Sequence, residues 1–148
     1  MSDIRELYQQ VIIDHGRRPR NFGKLTEATY QKVGVNPLCG DKLVLYIKVE
    51  NDKITDIKFE GEGCAISMAS CSLMTEKLIG TPIDEAQAIF NEFHELITHG
   101  KCQHEAKLGK LNILKGVSEF PARVKCATLA WQTINAALTG QQGEVSTE

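Results

Sequence analysis

Several common classes of protein are excluded by what this chain lacks. None of its apolar runs approaches the roughly 18 residues that a membrane helix needs, so no membrane association is expected. Neither sign of charge dominates. With 17 Lys and Arg against 19 Asp and Glu, the formal net charge of -2 gives no basis for binding nucleic acid. No G-x-S-x-G turn surrounds Ser67, so it is not a hydrolase nucleophile. No C-x-x-C pair occurs, so cysteine spacing by itself is weak evidence for a metal. The first residues, Met1 to Glu6, are charged and lack the apolar core of a signal peptide. A cytoplasmic, reducing setting is therefore expected, in which five cysteines are free, metal-bound or catalytic rather than disulfide-bonded.

What is present reads as one ordinary globular domain: 148 residues, 42% hydrophobic and 24% charged. The domain is expected to span residues 1–140, with a polar, fraying tail over 141–148. Residues 2 to 15 form an amphipathic helix pattern, with Ser2 as cap and Ile4, Leu7, Tyr8, Val11 and Ile12 as its stripe. A basic, turn-rich loop from Arg17 to Gly23 follows. Residues 29 to 35 read as a short strand. Leu43, Leu45, Ile47 and Val49 alternate on one face of a second, and Asn51-Asp52 turns the chain into a third over Ile54 to Phe59. From Cys64 the period becomes helical, up to Gly80. Thr81 as cap and Pro82 in the first turn start another helix, and Pro121 opens the last, which Gly140 stops. Residues 99 to 110 read as a connection, and Leu111, Ile113 and Leu114 give only a weak helical signal. Strands first and helices later predict an α+β fold: a small antiparallel sheet of about three strands packed against helices.

Three cysteines sit where backbone geometry can present a thiolate. Cys39 lies in the turn sequence Asn36-Pro37-Leu38-Cys39-Gly40-Asp41. Cys64 follows Gly61-Glu62-Gly63 at a helix start, where unpaired N–H groups favour an anion. Cys126 lies in the first turns of the last helix, close to Arg123 and Lys125. Three sulfurs and the Asp41 carboxylate would suit tetrahedral Zn²⁺ or iron in a small iron–sulfur cluster, and would not suit Ca²⁺ or Mg²⁺. Around Zn²⁺ such a shell carries a net negative charge, which Arg123 or Lys125 would offset. Spacing leaves two readings open: one shared site, or three separately buried cysteines. Cys71, two helical turns beyond Cys64 and roughly 10 Å away, reads as core. The run His94, His99, Cys102 and His104 reads as exposed loop histidines rather than a second metal site. Met68 and Met74 fit helix packing, and Trp131 and Tyr8 read as core or interface residues.

Three ordered motifs carry a resemblance. Asn-Pro-x-Cys-Gly-Asp at 36–41, Gly-x-Gly-Cys-x-Ile-Ser-x-Ala-Ser at 61–70 and Arg-x-x-Cys-Ala-x-Leu-x-Trp at 123–131 resemble the IscU-like family of iron–sulfur cluster assembly proteins. Lys125 stands where scaffold-type members have a His, and extra sequence lies around residues 95–115; both features are similar to the SufU-type branch. The resemblance implies an IscU/SufU-like fold and a Zn²⁺ ion held by Cys39, Asp41, Cys64 and Cys126. It further implies a SufS-type cysteine desulfurase as partner, Cys39 as sulfur acceptor, Arg123 in partner engagement, and downstream iron–sulfur assembly proteins as recipients. The alternative it carries is a scaffold holding a transient [2Fe-2S] cluster. Cys71 departs from the family pattern, where a small residue such as Ala is usual.

Overall fold

The computed structural model describes residues 2–141 and 143–147, with side chains from residue 9 onward. The expected cap Ser2 and the Ile4, Leu7 and Tyr8 part of the first stripe lie outside the described side chains. Helix α1 (Ser2–Arg17) leads through a loop into strands β1 (Tyr30–Asn36), β2 (Asp41–Glu50) and β3 (Lys53–Glu62). Helices α2 (Ala65–Leu78), α3 (Ile83–His99) and the short α4 (Glu105–Leu108) follow. A 3₁₀ segment (Gly109–Glu119), helix α5 (Pro121–Leu138) and strand β4 (Val145–Ser146) complete the chain. Among the described residues no helix is long and apolar enough to cross a membrane.

The α+β class is as expected, but the sheet is larger and mixed. Its order is β3-β2-β1-β4. The first two pairings are antiparallel, whereas β4 runs parallel to β1, with Gly34 opposite Val145 and Val35 opposite Ser146. The polar tail thus contributes a short edge strand. Its sequence hides this, because two residues are too few to show alternation. The β2–β3 connection follows its turn chemistry: Asn51 and Asp52 both take left-handed backbone, φ 53° and 61°, as a tight hairpin turn requires. A register shift after Lys48 leaves Thr55 unpaired, so Ile54 and Ile57 face the same core although three residues apart.

Helices cover one face of this sheet. Ten of the 14 residues of α2 are buried, so this helix is enclosed on nearly all sides. Trp131 of α5 stacks on Phe93 of α3, ring centroids 4.4 Å apart, worth about 0.5–1.5 kcal/mol beyond area burial. The Trp131 indole N–H donates to Ser70 Oγ (3.2 Å), and that hydroxyl donates to the Ala127 carbonyl (2.6 Å), fixing α5 against α2. Helix α5 also lies unusually close to β1: a Cβ at Gly34 would fall 2.0 Å from Thr133 Oγ1. These contacts hold Cys126 over the end of β1.

Two local expectations need correction. Thr81 does not cap α3; Pro82 occupies the N-cap position with extended backbone and no side-chain cap bond. The stretch after residue 108 is 3₁₀, burying Leu108, Leu111, Leu114 and Val117 at intervals of three. That spacing matches three residues per turn and explains why a period of 3.6 found so little there.

Helix α1 is fastened to α2 by a buried histidine. His15 is 1% exposed, and its Nδ1 lies 2.7 Å from Ser72 Oγ, which also accepts the Arg20 backbone N–H at 2.8 Å. Its Nε2 is 3.8 Å from Glu76. Burial, then the Arg20 charge, lowers the His15 pKa, while Glu76 opposes this. The unfolded chain takes up this proton as the pH falls below about 6.5, before the folded chain does. Stability is therefore present above that value and is lost as the pH falls towards the lowered folded value. Between about pH 7 and about pH 5, the melting temperature of the wild type should fall more steeply than that of His15→Gln. Parallel profiles in thermal melts would contradict the assignment.

Candidate metal centre

The β1–β2 turn, the β3–α2 junction and the start of α5 converge at one end of the sheet. Asn36 and Asp41 face one another as the last paired residues of β1 and β2, and the chain between them carries Cys39. The Cys39 backbone N–H donates to the Asn36 carbonyl at 3.2 Å, and Gly40 supplies left-handed backbone, φ 71°, to close the turn. Cys39 is half-buried, whereas Asp41 is 2% and Cys126 1% exposed.

One ligand atom from each of Cys39, Asp41 and Cys126 lies within 4.8 Å of the others. The Cys39 and Cys126 sulfurs are 3.3 Å apart. Among the described residues this is the one group of His, Cys, Asp and Glu close enough to share an ion. Cys64 stands beside the trio rather than within it. It is the N-cap of α2, and its sulfur accepts the Ser67 backbone N–H at 3.4 Å, which draws it towards its own helix. Its backbone N–H donates to Asp41 Oδ1 at 2.9 Å. Arg123 is exposed at the rim. Its hydrogen bond with Cys126, and the nearby charges of Cys64, Cys126 and Cys39, raise its pKa.

Sequence reasoning missed Asn36 as a functional side chain. It is fully buried, and its Nδ2 donates to Asp41 Oδ2 (3.3 Å) and to Cys126 Sγ (3.5 Å). Its Oδ1 is buried without a partner. The signal is Asn-Pro at a strand end, but the dipeptide serves equally as a turn and as the start of the Asn-Pro-x-Cys motif, and neither gives the side chain a role.

The donor set suits a soft cation. Burial, then the Cys39, Asp41 and Cys64 side chains, pushes the Cys126 thiol up. Groups that resist ionising together are ones a dication can hold as anions. Two sulfurs and a carboxylate oxygen already converge, with a third sulfur adjoining, as tetrahedral Zn²⁺ requires. The remaining cysteines take no part. Cys71 is fully buried in the core, and burial alone pushes its thiol well up. His94 and His99 are exposed but lie on helix α3 rather than in a loop, and His104 pairs with Glu92 at 2.7 Å.

Known proteins resemble this chain over most of its length. The NifU-like N terminal domain family matches residues 7–127. This chain belongs to that family. The zinc-dependent sulfurtransferase SufU of Bacillus subtilis (strain 168) is 40% identical over 142 residues, covering 96% of each chain. The iron–sulfur cluster assembly scaffold protein IscU of Streptococcus pyogenes serotype M1 is 40% identical over 138 residues, covering 93% of this chain and 86% of that one. Among solved structures, FiSufU from Fervidobacterium islandicum AW-1 is described as a scaffold protein for the SUF system. It superposes with a TM-score of 0.84 at 38% identity, covering 90% of this chain and 97% of that one. The IscU/SufU-like fold expected from the motifs is therefore the fold of a NifU-like N-terminal domain.

Gly63 gives a direct test of the site. A Cβ there would fall 2.5 Å from Asp41 Oδ1, so the carboxylate would have to shift. Gly63→Ala should weaken Zn²⁺ binding by about 10- to 100-fold in competition with a chromophoric chelator, with little change in far-UV circular dichroism. Unchanged affinity would show that the Asp41 position does not matter for the metal.

Proposed function

We propose that this NifU-like domain takes sulfur from a SufS-type cysteine desulfurase onto Cys39 and passes it to iron–sulfur cluster assembly proteins. In this reading Cys39, Asp41, Cys64 and Cys126 hold Zn²⁺. The observation that carries it is a half-exposed cysteine 3.3 Å from a buried one and within reach of a buried carboxylate, in a chain 40% identical to a zinc-dependent sulfurtransferase. Zn²⁺, when bound, keeps thiolates ionised at neutral pH. Cys64 joins the set by turning its sulfur away from the Ser67 N–H, a weak bond to give up. Asp41 is the hard donor in a soft set and the easiest to displace.

Cys39 is more accessible than Cys126 and sits on a turn rather than in a helix. Its thiolate attacks the outer sulfur of the desulfurase persulfide. A bond forms between that sulfur and Cys39 Sγ, the S–S bond of the enzyme breaks, and the enzyme cysteine leaves as a thiolate. Arg123 meets the partner at the rim, beside the exposed apolar side chains of Leu38 (69%) and Phe120 (61%). Exposed apolar groups around a reactive thiol support a protein partner rather than a free small molecule. A cytoplasmic, reducing setting keeps the thiols available for this chemistry.

A second reading, a scaffold for a transient [2Fe-2S] cluster, is favoured by the relatives named IscU. Lys125 in place of the scaffold-type His weighs against it.

With the cognate desulfurase, adding this chain should raise cysteine turnover, and Cys39→Ser should abolish the increase while leaving the enzyme's own turnover intact. A Ser variant as effective as wild type in a sulfide- or alanine-release assay would remove Cys39 from the acceptor role.

A further inference from the structure

The 3.3 Å contact between Cys39 and Cys126 allows more than shared ligation. One sulfur is fixed: Cys126 is 1% exposed within α5 and is oriented by Asn36 Nδ2 at 3.5 Å. The other lies on the β1–β2 turn, flanked by exposed Leu38 and Gly40. A disulfide needs its sulfurs about 2.05 Å apart, so the pair must close by little more than an ångström. Cys64 is less well placed, because its sulfur is engaged by the Ser67 N–H and lies outside the close trio.

We propose that Cys126 is a resolving cysteine for a persulfide on Cys39, so that the chain can release its sulfur as hydrosulfide as well as pass it on. This rests on Cys39 being the sulfur acceptor. When Cys39 carries the extra sulfur, its inner Sγ remains the atom held against Cys126, and the outer sulfur is the free end. Cys126 Sγ attacks that inner Sγ. The Cys39–Cys126 bond forms, the bond to the outer sulfur breaks, and its electron pair leaves with the outer sulfur. The proton of the Cys126 thiol goes with it, so Cys126–SH and Cys39–S–S⁻ give the disulfide and HS⁻. The outer sulfur is reduced by two electrons and the two cysteines are oxidised by two; a single turnover needs no other reductant. A dithiol reductant then resets the pair. A metal holding both sulfurs would oppose the step, so zinc occupancy would select between holding and releasing sulfur.

The test uses the full chain, as isolated and in parallel with a chelator. Each sample is loaded with inorganic polysulfide, freed of donor, and followed by hydrosulfide assay and non-reducing mass spectrometry. The expected course is a species one sulfur heavier that decays to one two hydrogens lighter than the reduced chain. Hydrosulfide should appear in equal amount, faster in the chelated arm, with a peptide linking Cys39 to Cys126. Cys126→Ser should retain the persulfide and release hydrosulfide at least about ten-fold more slowly, while Cys102→Ser behaves as wild type. A persistent wild-type persulfide in both arms, or a disulfide joining Cys39 to Cys64 instead, overturns the resolving role and leaves the acceptor reading standing. Failure of Cys39 to gain sulfur at all overturns both. Mapping the wild-type linkage keeps the test decisive even where a Ser variant folds poorly.

Discussion

Asp41 is the buried carboxylate around which this end of the molecule is arranged. At 2% exposure it has almost no water to solvate it, so its charge must be met from within the protein. Two donors meet it: the Cys64 backbone N–H at 2.9 Å and Asn36 Nδ2 at 3.3 Å. Bonds to a charged acceptor of this kind are worth about 1.5–3 kcal/mol each. Together they tie the start of β2 to the end of β1 and to the β3–α2 junction. Asn36 extends the tie to Cys126 on α5. Three cysteines separated by tens of residues are thus referred to one anchor. A cation placed there would complete an arrangement of charge that the protein alone leaves unbalanced.

The rest of the fold supports that anchor. The Phe93–Trp131 stack and the Trp131–Ser70–Ala127 hydrogen bonds set α5 against α2 and α3, so Cys126 and Cys64 approach from fixed directions. The close passage of Gly34 under Thr133 sets the height of α5 above β1. The remaining part of this end of the molecule is the β1–β2 turn. It carries Cys39 outward to solvent while its ends are held by the Asn36–Asp41 pair. A buried thiol facing a half-buried one gives the two sulfurs different access to solvent despite their contact.

Much of this was legible in the sequence, for identifiable reasons. Alternation at Leu43, Leu45 and Ile47 and the Asn51-Asp52 turn specify the hairpin, because strand period and turn dihedrals are local properties. Pro121 and Gly140 bound α5 because their backbone preferences are equally local. What stayed hidden depends on tertiary pairing. Val145–Ser146 becomes a strand only because the edge of β1 is there to receive it. The 3₁₀ stretch repeats every three residues, and its signal fades when sought at 3.6. At the site, cysteine spacing leaves both shared ligation and separate burial open. The three motifs narrow the choice through resemblance, but only the fold brings Cys39, Asp41 and Cys126 together. Asn36 escaped notice because a turn-forming Asn and a ligand-orienting Asn look the same in one dimension. Cys64 lay where helix-start reasoning put it, yet that same capping role holds its sulfur back from the trio.

The claim on which the account turns is therefore a ligand count: three sulfurs and one oxygen around one ion. Zinc K-edge X-ray absorption of the loaded chain reads this directly, because Zn–S and Zn–O distances differ, about 2.3 Å against about 2.0–2.2 Å. The account predicts three sulfur scatterers and one oxygen in the wild type, falling to two sulfurs in Cys64→Ser. A first shell with fewer than three sulfurs in the wild type, or one unchanged by the Cys64 substitution, would contradict it.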